Sequence, residues 1–276
     1  MSAWLEIRRG PAPLLLCFPH TGTELTPQLE PRFNSAWLAR KDADIWVHLL
    51  YDFAHALGAS SVRTQISRSV IDVNRDPSGA SLYPGQTTTE LCPLMTFDAE
   101  ALYLPGTEPD AAETQARLTQ YFVPYHAAVA AELTRLRALH PRVVLYDAHA
   151  IRSVVPRLFD GTLPELNLGT YDGRSCSRAL QVELERRCSG AGFSHVSNGR
   201  FKGGWTTRHY GQPERGVHAV QMELACRSYV TEPEPAYVPG NWPPAYDPAR
   251  AAPLQAALRT LLEACLEFAA QGAGAA

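Results

Sequence analysis

The stretch RVVLYDAH at residues 142–149 combines an apolar run with a polar end. A short, continuous run of apolar and β-branched residues is typical of a buried strand, which places His149 at the carboxyl end of that strand. An earlier stretch, residues 11–18, repeats the arrangement, because its apolar run is followed by Pro19 and His20. The sequence therefore predicts two buried strands that each end in a histidine.

The segments around these two strands alternate between helical and strand-like patterns. Apolar residues recur at helical spacing in 44–57, 112–140 and 174–188, whereas 60–66, 69–73 and 217–224 are short and rich in β-branched residues. This alternation predicts an α/β protein with a central mixed, mostly parallel sheet flanked by helices. Ligands bind such sheets at the carboxyl ends of the strands, where we expect His20 and His149.

The 276 residues are expected to form one domain, 1–276. The segment 231–253 is rich in proline, and we interpret it as a loop that wraps the domain rather than a linker between domains. A last helix is predicted over 252–270. No repeat of 20–50 residues is present in the sequence.

Composition excludes several classes of protein. A hydrophobic content of 45% with 19% charged residues argues against a disordered chain, and a net charge of −3 argues against a nucleic-acid-binding protein. The sequence has no apolar run long enough for a transmembrane helix and no secretory signal pattern. Its six scattered cysteines lack a C-x-x-C pair, which favours reduced thiols and a cytoplasmic location.

Two histidines at adjacent strand ends can bind one metal ion. A catalytic zinc ion takes about three protein ligands and keeps one position open, so a carboxylate is expected as the third ligand. Asp44, at the start of a predicted helix, and Glu24, four residues after His20, are both candidates. The H-E-x-x-H signature is absent, and the alternative is that both histidines are hydrogen-bonded structural residues.

Several arginines are candidates for binding a carboxylate, because guanidinium groups hold carboxylates with two parallel hydrogen bonds. Arg75 follows Asn74 at the end of the segment 69–73, with Arg68 just upstream. Arg208 lies in a glycine-flanked loop, and Arg152 comes three residues after His149. Structural ion pairs are the alternative explanation for each of these arginines.

Glu223 is the carboxylate of the apolar stretch VQMEL, residues 220–224. A carboxylate is costly to bury unless it is paired or functional. Burial would also raise its pKa toward the range that suits a general base. A buried ion pair with an arginine is the competing interpretation.

Taken together, these motifs resemble the N-formylglutamate amidohydrolase family. The blocks stand in the family's order from about residue 10 to residue 230: LLLCFPHTGTE (14–24), SR (67–68) with NR (74–75), LYPGQ (82–86), YDAH (146–149), FKGG (201–204) with TRHYG (207–211), and QMEL (221–224). The family is in turn similar to zinc carboxypeptidases, aspartoacylase and succinylglutamate desuccinylase.

The resemblance implies a zinc-carboxypeptidase-like fold and one zinc ion, or another divalent metal. It implies hydrolysis of N-formyl-L-glutamate to L-glutamate and formate, the last step of a histidine degradation route. By the same resemblance the metal ligands are His20, Asp44 and His149, the catalytic residues are Glu223 as general base and Arg68 as oxyanion partner, and Asn74 and Arg75 bind the substrate carboxylate. Arg208, in its glycine-flanked loop, and Arg152, close to His149, are further predicted substrate-binding residues. The oligomeric state is left open.

Two positions depart from the family patterns. The carboxypeptidase relatives have a glutamate three residues after the first histidine, whereas this chain has Thr23 there and Glu24 next, so the resemblance favours Asp44 as the ligand. Ala150 stands where the family commonly has serine. Two other functions therefore stay open: a related N-acyl amino-acid deacylase with an acetyl or succinyl substrate, and an inactive protein that binds acidic metabolites.

Overall fold

The computed structural model describes residues 4–82, 85, 87–234 and 236–271. Its seven-stranded sheet has the order β1-β3-β2-β4-β7-β5-β6. The four central strands β3, β2, β4 and β7 are parallel, while β1 and β5 pair antiparallel to their neighbours β3 and β7. The strands are β1 (Leu5–Arg8), β2 (Leu14–Phe18), β3 (Ser60–Thr64), β4 (Val143–Ile151), β5 (Leu166–Gly169), β6 (His195–Ser197) and β7 (Val217–Ala225).

Helices cover both faces of this sheet. They are α1 (Leu38–Lys41), α2 (Val47–Leu50), α3 (Ala111–Arg117), α4 (Val123–Leu139), α5 (Arg178–Gly190), α6 (Trp205–Tyr210) and α7 (Pro248–Ala270). A π-helical segment, Leu118–Phe122, joins α3 to α4, so the helical pattern of 112–140 runs without a gap through Pro124.

Strand β4 divides the hydrophobic core because its successive side chains point to opposite faces of the sheet. Val144 and Tyr146 pack into the core beneath α5 and α7. Val143 and Leu145 pack into the core beneath α4. The predicted fold, a mixed and mostly parallel sheet flanked by helices, is confirmed.

Some predicted elements differ from the structure. The segment 44–57 is not one helix, because Trp46 adopts φ 59° and only Val47–Leu50 continues as an α-helix before a 3-10 segment. The segment 69–73 forms turns rather than a strand. Helix α7 begins at Pro248, four residues before the predicted start, since Asp247 accepts hydrogen bonds from the backbone N–H groups of Ala249 and Arg250. The proline-rich loop therefore ends at Asp247.

All six cysteines are buried and none forms a disulfide. Among the described residues, no helix combines the length and apolar character needed to cross a bilayer. Three residues of the LYPGQ motif, Tyr83, Pro84 and Gln86, lie outside the described residues.

Candidate active site

Strand register brings the predicted site residues to one edge of the sheet. In the parallel pair β4 and β7, His149 is the register partner of Glu223, and Asp147 is the partner of Gln221. His20 follows the end of the neighbouring strand β2. All three strands end at the same edge, as the sequence predicts for parallel strands.

His20, Asp44 and His149 form a buried group whose ligand-type atoms all lie within 4.8 Å of one another. Asp44 Oδ2 lies 3.6 Å from His20 Nδ1 and 3.0 Å from His149 Nδ1. Two imidazole nitrogens and one carboxylate oxygen form a donor set that suits a catalytic zinc ion. Glu24 is exposed and lies outside this group, so the geometry favours Asp44 over Glu24.

In each histidine, the ring nitrogen that does not face Asp44, Nε2, lies against a second buried carboxylate. His20 Nε2 is 2.6 Å from Asp72 Oδ1, and His149 Nε2 is 3.1 Å from Asp147 Oδ1. Carboxylates in this position orient metal-binding histidines and fix their tautomer. The sequence analysis missed Asp72 and Asp147, although Asp147 lies two residues before His149 and therefore on the same face of β4.

Asp147 Oδ1 provides a test of whether this group fits a metal ion. The atom is buried without a hydrogen-bond partner among the described residues, while Asn74 Nδ2 lies 2.9 Å from His149 Nε2 and 3.2 Å from Asp147 Oδ2. Metal binding at His149 Nδ1 requires the hydrogen on Nε2, which would then donate to Asp147 Oδ1, while the Asn74 amide would donate to Asp147 Oδ2 and not to the ring. The residues present therefore fit a metal ion.

Electrostatics keep Asp44 and His149 charged. Burial by itself would raise the pKa of Asp44, but His20 and His149 hold that pKa below its ordinary value. Burial would likewise lower the pKa of His149, but Asp147 and Asp44 hold it well above its ordinary value. A metal ion would take the place of these protons, because it also brings positive charge to the carboxylates.

Glu223 has the properties expected of a general base. Burial raises its pKa to about 8, although His149 and Arg68 act in the opposite direction. Its Oε2 accepts a hydrogen bond of 3.0 Å from Gln221 Nε2, and its side chain lines the same pocket as His20 and His149. A carboxylate with a raised pKa beside a candidate metal site is suited to proton transfer at neutral pH.

Arg68 and Arg75 line this pocket, with Asp72 between them. Arg68 Nη2 donates to Asp72 Oδ2 at 2.7 Å, and Arg75 Nη2 lies 3.5 Å from the same oxygen. Arg68 also places its Nη1 3.6 Å from Asp44 Oδ1. Asp72 therefore holds both guanidinium groups close to the candidate metal ligands.

Asn74 also lines the pocket, but its side chain holds several site elements together. Its Oδ1 accepts a hydrogen bond of 2.8 Å from the backbone N–H of Thr206 in α6, while its Nδ2 faces His149 and Asp147. A Cβ atom at residue 204 would lie 2.4 Å from Asn74 Nδ2. Gly204 is therefore required for this close approach.

Two arginines that are predicted to bind the substrate, Arg208 and Arg152, are not among the described residues that line the pocket. Arg208 donates to the backbone carbonyl oxygens of Gly203 and Leu82, at 2.8 and 2.7 Å. Arg152 is 3% exposed and contacts Asp98 and Asp42 at 2.7 and 3.2 Å. These ion pairs favour the structural role that the sequence left as the alternative for Arg152.

The sequence analysis overlooked Arg200, which lines the pocket together with Arg68 and Arg75. Its Nε donates to the carbonyl oxygen of Leu158 at 2.7 Å and its Nη2 to that of Thr87 at 2.9 Å. The glycines that surround Arg200 in the loop 199–204 were the available signal, because they favour a loop that approaches a ligand closely.

Ala150 has little effect on this geometry. Its side chain packs in the hydrophobic core beneath α5 and α7, away from the face that carries His149. Its backbone N–H donates to Asp44 Oδ2 at 3.2 Å, a contact that any residue type can make. Alanine here leaves the orientation of Asp44 intact.

Fold and site together define an α/β protein with a candidate metal-binding active site at the carboxyl edge of its sheet. Residues 12–230 match the family model described as N-formylglutamate amidohydrolase. N-formylglutamate deformylase from Pseudomonas aeruginosa is 46% identical over 269 residues, covering 97% of this chain and 98% of that protein. The chain belongs to the N-formylglutamate amidohydrolase family, which confirms the resemblance.

Two further relatives agree with this assignment. N-formylglutamate deformylase from Pseudomonas putida is 42% identical over 272 residues, covering 98% of each chain. The crystal structure of N-formylglutamate amidohydrolase from Ralstonia eutropha JMP134 has a TM-score of 0.77 at 22% identity, and the match covers 98% of this chain and 99% of that one. The structural match supports the fold.

Proposed function

We propose that this protein hydrolyses N-formyl-L-glutamate to L-glutamate and formate with the help of one divalent metal ion, most simply zinc. One observation carries the proposal: His20 and His149, which form a buried group with Asp44, line a pocket of about 190 Å³ together with the buried carboxylate of Glu223 and three arginines. The two Pseudomonas relatives are named for removing formyl groups from N-formylglutamate. A place in histidine degradation and a cytoplasmic location stay predictions.

His20, Asp44 and His149 would hold the ion. When bound, such an ion polarises a carbonyl oxygen and makes a water molecule more acidic. Asp72 and Asp147 would orient the two histidines, because each lies against an outer ring nitrogen.

Glu223 would accept a proton from the attacking water and deliver it to the leaving nitrogen. Its raised pKa supports both halves of this role, since the carboxyl group can hold the proton between the two steps. Arg68 would donate hydrogen bonds to the oxyanion that develops on the formyl oxygen, because its guanidinium lies near Asp44 and lines the pocket.

The arginines would select a substrate with two carboxylates. Arg75 is a candidate partner for one carboxylate, and Arg200 is a candidate for the other because it lines the same pocket. Arg208 would act indirectly, since its guanidinium holds the backbone of Leu82 at the pocket wall. Bidentate contacts to both carboxylates would fix the amide bond near the metal ligands.

Release of formate tests the proposal directly. Purified protein is assayed with formyl-, acetyl- and succinyl-glutamate, before and after treatment with a chelator and after zinc is restored, with bound metal measured in parallel. We expect formate release that falls with the bound metal and returns with zinc. Activity that survives complete removal of the metal would contradict the metal dependence. Faster turnover of an acetyl or succinyl substrate would contradict the formyl assignment.

Glu223→Gln separates proton transfer from binding. Glutamine preserves the shape of the side chain and can keep a contact with Gln221, but it cannot accept a proton. We expect kcat to fall about 10² to 10⁴-fold, the usual contribution of general acid–base catalysis, while bound metal is unchanged. Glu267→Gln, on the exposed side of α7, is the matched control. A near-normal kcat in Glu223→Gln would mean that another group acts as the base.

A further inference from the structure

A second cleft lies at the amino-terminal ends of β4 and β7, at the opposite end of these strands from the candidate active site. We call it the basic cleft and define it by Arg137, Arg142, Arg215 and His218. Arg142 directly precedes β4, and Arg215 precedes β7 by two residues. The first residue of β4 is six residues from His149, so the cleft is about 20 Å from the active site along the strand.

The three arginines give this cleft a positive charge. Within the described part of the chain, none of them has a carboxylate oxygen within the 4.0 Å of an ion pair. Arg142 stacks over the ring of Phe268 at 5.2 Å, and Arg215 Nη1 donates only to Gln212 Oε1, at 3.3 Å. Exposed Glu214 also lines the cleft, so one carboxylate stands against three guanidinium groups.

Arg137 is anchored in the cleft by backbone groups. Its Nε donates to the carbonyl oxygen of Arg215 at 3.1 Å, and its Nη1 donates to that of His140. Gly216 has φ +75°, and a Cβ atom there would lie 3.0 Å from Arg137 Cζ. The guanidinium therefore packs directly on the backbone that leads into β7, which gives it a defined position.

His218 supplies a hydrogen-bond donor to the same cleft from a buried side chain. Its side chain is 4% exposed, and its Nδ1 accepts a hydrogen bond of 3.1 Å from the backbone N–H of Ser177. In the neutral ring the hydrogen must then lie on Nε2. No described residue accepts a hydrogen bond from that atom. Burial, Arg142 and Arg137 lower the pKa of His218 to about 4, so the ring is neutral at physiological pH.

The four side chains that define this cleft offer hydrogen-bond donors, while Glu214 and the Ser177 hydroxyl also line it and can accept. A ligand that only accepts hydrogen bonds and carries negative charge complements guanidinium groups and an imidazole N–H. Ala179 of the cleft lies in the first turn of α5, where the helix dipole adds positive potential. We propose that the basic cleft binds a small dianionic oxyanion of the phosphate type.

Nuclear magnetic resonance of the His218 ring tests this proposal in the metal-loaded protein. The ring signal is assigned by its loss in His218→Gln and is then followed during titration with inorganic phosphate at constant ionic strength. We expect a saturable shift in the wild type. Arg142→Gln and Arg215→Gln should each raise the half-saturating phosphate concentration about tenfold or more, as expected for the loss of a charge-assisted hydrogen bond.

Arg259→Gln is the matched control, because Arg259 also lies on α7 and stacks over an aromatic ring, that of Phe53 at 4.5 Å. It should leave the half-saturating concentration unchanged. A His218 signal that does not saturate with phosphate would overturn the proposal, and so would equal half-saturation in the wild type and Arg215→Gln. Tighter binding of succinate than of phosphate would overturn the assignment to a phosphate-type ligand.

Discussion

Asp147 is the residue that links strand geometry to the candidate metal site of this protein. It is fully buried on β4, where Oδ2 lies 3.2 Å from both Asn74 Nδ2 and Thr207 Oγ1, and Oδ1 lies 3.1 Å from His149 Nε2. Because three carboxylates, Asp44, Asp72 and Asp147, lie against His20 and His149, a bound cation would offset their mutual repulsion. Removing one of these charges should weaken that effect.

Asp147→Asn should lower the affinity for zinc about 10 to 100-fold, the usual effect of losing a carboxylate behind a metal-binding histidine. The physical reason is that asparagine cannot stabilise the required His149 tautomer with a negative charge. Affinity is measured by competition with a chromophoric chelator. Asp172→Asn is the control, since Asp172 is exposed. Equal zinc affinity in Asp147→Asn and the wild type would remove Asp147 from the metal site.

We predict that the loop 199–204 between β6 and α6 decides substrate selection, because Arg200, Phe201 and Gly204 line the pocket. Arg200→Gln should lower kcat/KM for formylglutamate about 10 to 100-fold, the effect of one charge-assisted hydrogen bond, and reduce the preference over formylglutamine. Arg208→Gln should instead affect both substrates by a similar factor, because Arg208 holds the backbone of Leu82. Arg174→Gln, at a side chain that is 60% exposed, is the control. If Arg208→Gln reduced the preference for formylglutamate and Arg200→Gln affected both substrates equally, Arg208 rather than Arg200 would be the partner of the substrate carboxylate.

Elements with long apolar runs were predictable from the sequence, whereas short or strained ones were not. Strands β2 and β4 were predictable because each contains a continuous apolar run, and their parallel pairing places His20 and His149 at the same end of the strands. Strand β5 has only four residues, with Asn167 among them, so it carries no periodic signal. The broken helix after Asp44 depends on the left-handed backbone of Trp46, which side-chain spacing does not encode.

The direction in which an arginine side chain points could not be predicted from the sequence either. Arg200 and Arg208 both lie beside glycines, and only the folded backbone determines that Arg200 lines the pocket. Arg152 is close to His149 in sequence, but β4 has ended by then and Asp42 and Asp98 hold its guanidinium away. The order of the motifs identified the family. The carboxylates behind the histidines depend on the fold, since Asp72 lies in the turns of 69–73 and Asp147 on β4.

For the whole molecule, buried neutral histidines link stability to pH. Burial lowers the pKa of His126 from 6.5 to about 4, and its ring lies between Val73 and Tyr210, with Nε2 at 2.7 Å from the Val73 carbonyl oxygen. The unfolded chain binds a proton at this residue below pH 6.5, whereas the folded protein does so only near pH 4. Stability from His126 is therefore present above pH 6.5 and is lost as the pH falls to 4.

His126→Gln should remove this part of the pH dependence. Between pH 6.5 and 4, the free energy of unfolding of the wild type should fall by up to about 3 kcal/mol more than that of the variant. The free energy of unfolding is measured with urea at several pH values for both proteins. The quantity compared is its change with pH, because the variant is expected to be less stable at every pH. His195→Gln, at an exposed position, should keep the wild-type dependence. If the free energy of unfolding changed equally with pH in the wild type and His126→Gln, the prediction would be wrong. Acid would then act on the fold through the active-site carboxylates, which lie close by because Val73, the partner of His126, directly precedes Asn74.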